Sequence, residues 1–374
     1  MVSVIILWLP GSGSRRPAVQ SSGLVLQDYT VAHRRSGAGL PFCSIYQQAV
    51  VMIGAIRIHS FGGPEVMQWE QVELPPPGAG ELTIRQTAVG LNFIDTYHRS
   101  GLYPLSLPAG LGTEAAGVVE AVGPGVSGFR VGEAVGYTGL PPGAYAEKRN
   151  WPAERTLKLP AGISAEVAAS SMLKGLTAWY LLRRSYRVQA GDPVLLYAAA
   201  GGTGAIVAQW AKSLGAKVIG VVGSPAKAEL ARAHGCAETV LSKDADFVAK
   251  VKSLSGGGVA VVYDSIGKDT FMQSLDCLRR HGTMVTFGNA SGPVEPFSPM
   301  ELVKRGSLHL TRPSLFDFIA SKADLDAGAA ELFGVIGSDA VQIEIGQRYA
   351  LKDVAQAHRD LESRRTTGST VLLP

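Results

Sequence analysis

The sequence predicts an α/β protein in two parts, a β-rich unit and a doubly wound parallel sheet. Three observations predict it. At about 150 residues per domain, the 374 residues of the chain suffice for two domains. Residues 81–159 run as short β-rich segments broken by glycine and proline, "ELTIRQTAVGLN", "EAAGVVEAVGPGV" and "GEAVGYTGLPPGAYAEKRN", the texture of a partly antiparallel sheet. From residue 193 to about 310, apolar β runs such as "PVLLYAAA", "AKVIGVVG", "VAVVYDSIG" and "TMVTFGNA" alternate with helical stretches. That alternation implies a parallel sheet with helices on both faces.

Composition narrows the function classes. Hydrophobic residues make up 46% and charged residues 18%, which places the chain among globular proteins and not among disordered ones. The 45 glycines exceed the usual share of about 7% without any three-residue period, so they mark tight turns and close backbone approaches. Most of the net charge of +4 sits in residues 1–51, where Arg15, Arg16, Arg34 and Arg35 face Asp28 alone. A nearly neutral body argues against a large nucleic-acid footprint, and no nucleic-acid partner is expected. Cys43, Cys236 and Cys277 are too few and too far apart for a disulfide framework or a Cys-x-x-Cys site, which fits a reducing, cytoplasmic setting.

The elements follow in order. Residues 2–9 are apolar but far short of the roughly 20 residues of a membrane span, and no basic residue precedes them. Residues 1–51 are read as a disordered extension or a mis-assigned translation start. After Met52 comes the alternation Ala55-Ile56-Arg57-Ile58-His59 and the turn Gly62-Gly63-Pro64, the pattern of a domain start. Residues 164–186 carry small and apolar side chains at helical spacing and lead out of the β-rich unit. The tail, 312–374, returns to helix and short strands and is expected to fold back onto the first unit. The expected organisation is 52–175 completed by 312–374, with 176–311 between them.

The β run at 194–198 leads into Ala199-Ala200-Gly201-Gly202-Thr203-Gly204 and then the helical "AIVAQWAKSLGA". This is a strand-to-helix turn of the form A-x-G-x-x-G: Gly201 admits a pyrophosphate close to the backbone, Gly204 lets helix pack on strand, and the helix N-terminus supplies amide donors. A tight turn alone would read the same way, but strand, helix and following strand lie in register for a Rossmann-type dinucleotide site. An NAD site carries an acid at the end of the second strand. Here that place reads Gly223-Ser224-Pro225-Ala226-Lys227, and a hydroxyl with an ammonium suits the 2′-phosphate of NADPH.

The motifs "NFIDTYHRSGLYP", "GLGTEAAG", "LKGLTAW", "AAAGGTG", "VVYDSIG" and "TRPSL" occur together in this order. With them the sequence resembles bacterial NADPH:quinone oxidoreductases, the zinc-free, zeta-crystallin-like branch of the medium-chain dehydrogenase/reductase superfamily, over residues 55–374. The resemblance implies a GroES-like catalytic domain, a Rossmann domain, a cleft between them and a homodimer. It places cofactor contacts on Asn92, Phe93, Tyr97, Thr177, Ala200, Gly201, Gly202, Thr203, Gly204, Ser224, Lys227, Phe287, Gly288, Asn289, Arg312, Ser314 and Arg364. A tyrosine that relatives place near the adenosine phosphate falls on Ser242 here, with Lys243 beside it.

Zinc-dependent members of the superfamily carry Cys and His where this chain has Asn92, Thr113 and the stretch Ser171-Met172-Leu173. These cannot assemble a tetrahedral zinc site, so no metal is expected. Glu114 is read as structural or cleft-lining. His59, His98 and His281 are read as surface or turn residues. Without a metal, nicotinamide can still reduce an electron-poor acceptor, by direct hydride or single-electron transfer, with the protein supplying orientation and hydrogen-bond donors. Asn92, Tyr97 and Tyr103 are the candidate catalytic residues. A quinone is the expected acceptor. Reduction of activated alkenes such as enones or alkenals is the nearest alternative, and a non-catalytic NADPH- or RNA-binding crystallin-like role is an alternative of another class.

Overall fold

The two textures of the sequence fold into separate sheets in a computed structural model, which describes residues 50–374. The reading of residues 1–51 falls outside these apart from its end, where the first strand begins at Val51, one residue before the expected start. The first half of the chain forms β1 (Val51–Ile58), β2 (Gln68–Leu74), β3 (Glu81–Leu91), α1 (Phe93–Ser100), β4 (Ala109–Gly110), β5 (Glu114–Val122), β6 (Ala134–Thr138), β7 (Lys148–Pro152) and β8 (Leu157–Lys158). Helix α2 (Ala165–Tyr180) then leads out. Ser164 starts it by accepting the Val167 amide on its hydroxyl, a side-chain cap on an otherwise orphaned donor.

The middle of the chain winds through β9 (Pro193–Tyr197), α3 (Gly202–Ser213), β10 (Lys217–Val222), α4 (Pro225–Ala233), β11 (Glu238–Leu241), α5 (Phe247–Ser255), β12 (Val259–Asp264), α6 (Phe271–Asp276), β13 (Leu278–Thr286), α7 (Met300–Lys304) and β14 (His309–Thr311). All six strands run parallel in the order β11-β10-β9-β12-β13-β14. Every residue of β12 is buried, as expected where helices cover both faces of a parallel sheet. The order in which strands are added reverses between β9 and β12, and the carboxyl ends of strands at such a switch point are where ligands of these sheets bind.

The tail adds α8 (Leu315–Phe318), α9 (Lys322–Gly337), β15 (Ile345–Ala350), α10 (Val354–Glu362) and β16 (Ser369–Leu373). Strand β16 pairs antiparallel with β3, so the chain end closes the seven-stranded β15-β16-β3-β5-β6-β8 sheet, to which β7 adds through β3. The return also reaches the other half: Gly201 and Gly368 form a parallel bridge. One apolar core runs from α2 through β9, β12 and α3 to α9, while a second fills the β-rich half and takes Leu351, Val354 and Ala357 from the tail.

Candidate active site

The dinucleotide turn lies at the switch point of the parallel sheet. Gly201 is the N-cap of α3 and no side chain caps that helix, leaving first-turn amides open to an anion. A side chain on Gly204 would put its Cβ 2.2 Å from the Ala198 carbonyl oxygen, so glycine is what lets α3 sit on β9. Ala200 and Thr203 complete the turn. At the end of β10, Ser224 caps α4 by accepting the Lys227 amide. The Lys227 ammonium reaches the carbonyl of Arg364 at 3.0 Å, and the Ser242 amide bonds Val222 at 2.9 Å. Ser224, Lys227, Ser242 and Arg364, far apart in sequence, therefore gather beside one strand end. This donor set fits a phosphate-bearing dinucleotide, with hydroxyl and cationic groups where an NAD site holds an acid.

A second group meets across the crevice. Helix α1 begins at Asn92, and its C-terminus at Gly101 has φ 82°, the left-handed conformation that glycine adopts without strain. From α1 the Tyr97 hydroxyl accepts the Asn289 amide at 2.9 Å. Tyr103 accepts from Asn289 Nδ2 at 3.3 Å and from Arg312 Nη2 at 3.1 Å. Phe93 and Tyr103 each pack edge-on to Tyr97. Burial, only partly offset by the Asn289 amide, pushes the Tyr97 hydroxyl up to about 12, so it stays protonated and can donate. Gly288 runs so close to the next loop that a Cβ there would lie 2.5 Å from the Ser265 carbonyl, and Phe287 is fixed through its amide to Asp264.

Beside this group opens a cavity of about 800 Å³. Tyr103, Thr286, Asn289, Arg312 and Ser314 give it a polar side, and Phe271, Val294, Phe297 and Leu310 an apolar one. The Thr286 hydroxyl is buried without a partner, which marks a polar position that a bound molecule can satisfy.

Asn92 and Thr177 stand deeper. Thr177 is buried on α2, one turn beyond Lys174. Asn92 Nδ2 donates to Glu114 Oε1 at 2.7 Å, and the Leu173 amide donates to Oε2 at 2.7 Å. Lys174 Nζ lies 3.4 Å from the same carboxylate and 3.2 Å from the Leu91 carbonyl, and its stem lies against Gly202 of the dinucleotide turn. Glu114, fully buried, thus ties the Asn92 loop to the floor of the turn. Lys174 was missed by sequence reasoning. Its signal was a lone lysine among the small and apolar residues of a buried helix.

At the positions where the resemblance leads one to expect the ligands of zinc-dependent members, the chain presents Asn92, Thr113 and the Ser171–Leu173 stretch. Among the described residues no three His, Cys, Asp or Glu side chains cluster to hold a metal. His98 corrects an expectation: it is buried, not at the surface, and packs edge-on to Tyr103. Burial lowers it to about 4. His358 is lowered to about 3 by burial and by the Arg99 guanidinium.

A histidine held neutral in the fold takes up its proton on unfolding, so its contribution to stability is present above the unfolded value near 6.5 and is lost progressively as pH falls from there to the folded value, about 4 for His98 and about 3 for His358. Asp95, raised by burial to about 7, acts with the opposite sign between about 4 and 7. His358→Gln is therefore expected to lose less stability than the parent chain on acidification from pH 6.5 to 4.5, by about 1 kcal/mol per pH unit. Denaturant melts across that range check it, and parallel slopes would contradict it.

Residues 78–161 match the family model described as "Alcohol dehydrogenase GroES-like domain", and residues 202–334 match "Zinc-binding dehydrogenase". With the crevice between a GroES-like and a Rossmann half, this defines an oxidoreductase of the medium-chain dehydrogenase/reductase class. The chain is 50% identical to a quinone oxidoreductase of Pseudomonas aeruginosa (86% of this chain, all of the relative) and 46% identical to a 2-haloacrylate reductase of Burkholderia (86% and 99%). It superposes with a TM-score of 0.84 on the crystal structure of Escherichia coli quinone oxidoreductase complexed with NADPH, at 46% identity over 86% of this chain and all of that one. The chain belongs to the quinone oxidoreductase family.

Proposed function

We propose that the chain is an NADPH-dependent reductase of quinones that works without zinc, binding nucleotide and acceptor in the crevice between its halves. The observation that carries the reading is the cluster of Ser224, Lys227 and Arg364 at the end of β10, next to the open N-terminus of α3. The pyrophosphate is assigned to the turn from Ala200 to Gly204, the 2′-phosphate to Ser224, Lys227 and Arg364 with Ser242 alongside, and the nicotinamide end to Asn92, Phe93, Tyr97, Thr177, Phe287, Gly288 and Asn289, with Arg312 and Ser314 at the rim.

Bound there, the cofactor supplies reducing equivalents from its nicotinamide ring. The chain supplies orientation and donors. Tyr103, whose oxygen accepts from Arg312 and Asn289, keeps its own proton to donate to an acceptor oxygen as negative charge develops there. Tyr97 is a second donor. Asn92 uses one Nδ2 hydrogen on Glu114 and retains the other. The apolar wall of Phe271, Val294, Phe297 and Leu310 suits a planar ring and excludes water. A quinone needs no strong Lewis acid, in keeping with Asn92, Thr113 and the stretch Ser171-Met172-Leu173 standing where zinc ligands would be expected.

Lys227→Ala is expected to raise the KM for NADPH about 10- to 100-fold, the worth of one charge-assisted contact, while moving that for NADH less than about threefold. Equal loss for both nucleotides in initial-rate assays would contradict the phosphate assignment.

Reduction of an activated alkene is the second reading. The relative named 2-haloacrylate reductase favours it, and the Arg312 guanidinium at the cavity offers a partner to a carboxylate. Product analysis separates the two, hydroquinone in one case and saturated product in the other.

We also propose a homodimer joined along β14, which pairs only with β13 among the described residues. Exposed Leu310, Met300 and Val303 on and before that strand support it, since an open edge strand is a template for pairing. No helix among the described residues is long and apolar enough to cross a membrane. The chain is assigned to the cytoplasm, where the buried free thiols Cys236 and Cys277 stay reduced.

A further inference from the structure

Helix α1 carries functional side chains on one face and a buried polar chain on another. Tyr97 reaches across the crevice to Asn289. Asp95 and Arg99, one turn apart and on one face, point instead into the β-rich half. Asp95 is fully buried and accepts from the Asn92 amide at 2.9 Å, from Tyr145 Oη at 2.8 Å and from Thr113 Oγ1 at 3.3 Å. Tyr145 Oη lies 3.1 Å from His358 Nε2, and Arg99 Nη1 lies 2.8 Å from His358 Nδ1. Arg99 also forks onto Glu362 through Nη1 at 3.0 Å and Nη2 at 2.7 Å, and its Nε holds the Gly62 carbonyl at 3.1 Å.

The directions of the bonds that run from Arg99 through His358 and Tyr145 are fixed. A guanidinium only donates, so Nδ1 of His358 accepts, its proton sits on Nε2 and is given to Tyr145, and the Tyr145 proton is given to Asp95. Glu114 and Lys174 flank the carboxylate from β5 and α2. Every member thus has a partner, and a satisfied buried network specifies one geometry. Both ends of the chain lie on α1, and its middle belongs to α10 and to Tyr145.

We propose that Asp95, Tyr145, His358 and Arg99 are positioning residues that lock the orientation of α1, and with it Asn92, Tyr97 and Tyr103, from helix α10 at the far end of the sequence. The inference rests on the reductase reading of the crevice. None of the four lines the cavity. They act through Asn92, whose amide Asp95 holds, and through Tyr103, whose amide bonds the Tyr97 carbonyl at 3.1 Å. A shift of about 1 Å at the reacting groups costs on the order of 100-fold in rate, so a loosened α1 registers in turnover before it registers in nucleotide affinity.

The test compares His358→Leu, His358→Gln and Tyr145→Phe in the full-length protein. Glutamine offers one carbonyl to Arg99 and one amide hydrogen to Tyr145, reproducing the pattern of the neutral ring, whereas leucine offers neither. The expected result is a fall in kcat of about tenfold or more for His358→Leu and Tyr145→Phe, with the NADPH Kd, measured by fluorescence titration, within about twofold of the parent. Recovery of most of that rate in His358→Gln is expected with it.

If His358→Gln is no better than His358→Leu while both melt at similar temperatures, or if kcat falls and the NADPH Kd rises in step, the positioning role is overturned. Should Tyr145→Phe fail to fold, the histidine pair alone decides. A parent chain that binds NADPH but reduces neither quinone nor alkene would sink the functional reading instead, and the two failures are thereby distinct.

Discussion

Replacing Gly204 by alanine is expected to abolish nucleotide binding and to destabilise the chain by about 3 kcal/mol or more, at the upper end of overpacking costs. The added Cβ would stand 2.2 Å from the Ala198 carbonyl oxygen and 2.9 Å from both the Ala198 carbonyl carbon and Ala199 Cα. All three are backbone atoms of the turn that joins β9 to α3, so no side-chain rotation relieves the contact. The helix must lift off the strand, and its N-terminal amides leave the place where a pyrophosphate would sit. Thermal melts and NADPH titration check this. Gly334→Ala in α9 is the control, because nothing lies within 4 Å of its added Cβ; there a gain of up to about 1 kcal/mol is expected from helix propensity. A Gly204→Ala protein that melts like its parent would show that the turn is looser than described.

The second large effect is expected at Glu114. Its carboxylate takes the Asn92 amide group, the Leu173 backbone amide and the Lys174 ammonium, and Gly90 leaves the room it occupies, since a Cβ there would lie 2.3 Å from Oε1. Glu114→Gln leaves Lys174, 8% exposed, without a counter-charge and turns an amide hydrogen toward the Leu173 N–H. Breaking a buried pair from one side costs about 3–5 kcal/mol. The double change Glu114→Gln with Lys174→Met is expected to be more stable than Glu114→Gln alone, because it removes the stranded ammonium. Denaturant titration of the two variants decides it, and a double variant no more stable than Glu114→Gln would contradict the coupling.

These two sites differ in how far they could be read from the sequence. Gly204 was legible, because a strand, a glycine turn and a helix are consecutive and each leaves a local signal. The meeting of Tyr97 and Tyr103 with Asn289 and Arg312 was legible only through the resemblance that placed all four at one cleft; nothing in their spacing shows that Tyr103 accepts from Arg312. The Asp95 network was not legible. Asp95 reads as the third residue of α1, and its bond to the Asn92 amide is local, but Tyr145, and His358 beyond it, are brought in by the segment between β6 and β7 and by the returning tail. His98 was misplaced for a related reason. A histidine in a short polar helix looks solvated until Tyr103 and the neighbouring loop cover it. Lys243, offered as a neighbour to the phosphate, and Ser242 are both exposed beside β10, consistent with a rim position and not with a buried contact.

The central claim is that a phosphate-selective dinucleotide site and a donor-lined cavity without metal ligands act together on a quinone. Initial rates of NADPH and NADH oxidation by the full-length, EDTA-treated protein, with benzoquinone and with an enone as acceptors, test it most directly. Chelator-resistant turnover of the quinone with NADPH, and much slower turnover with NADH, is the predicted result. Activity that NADH supports equally well, or that disappears with EDTA and returns with zinc, would contradict it.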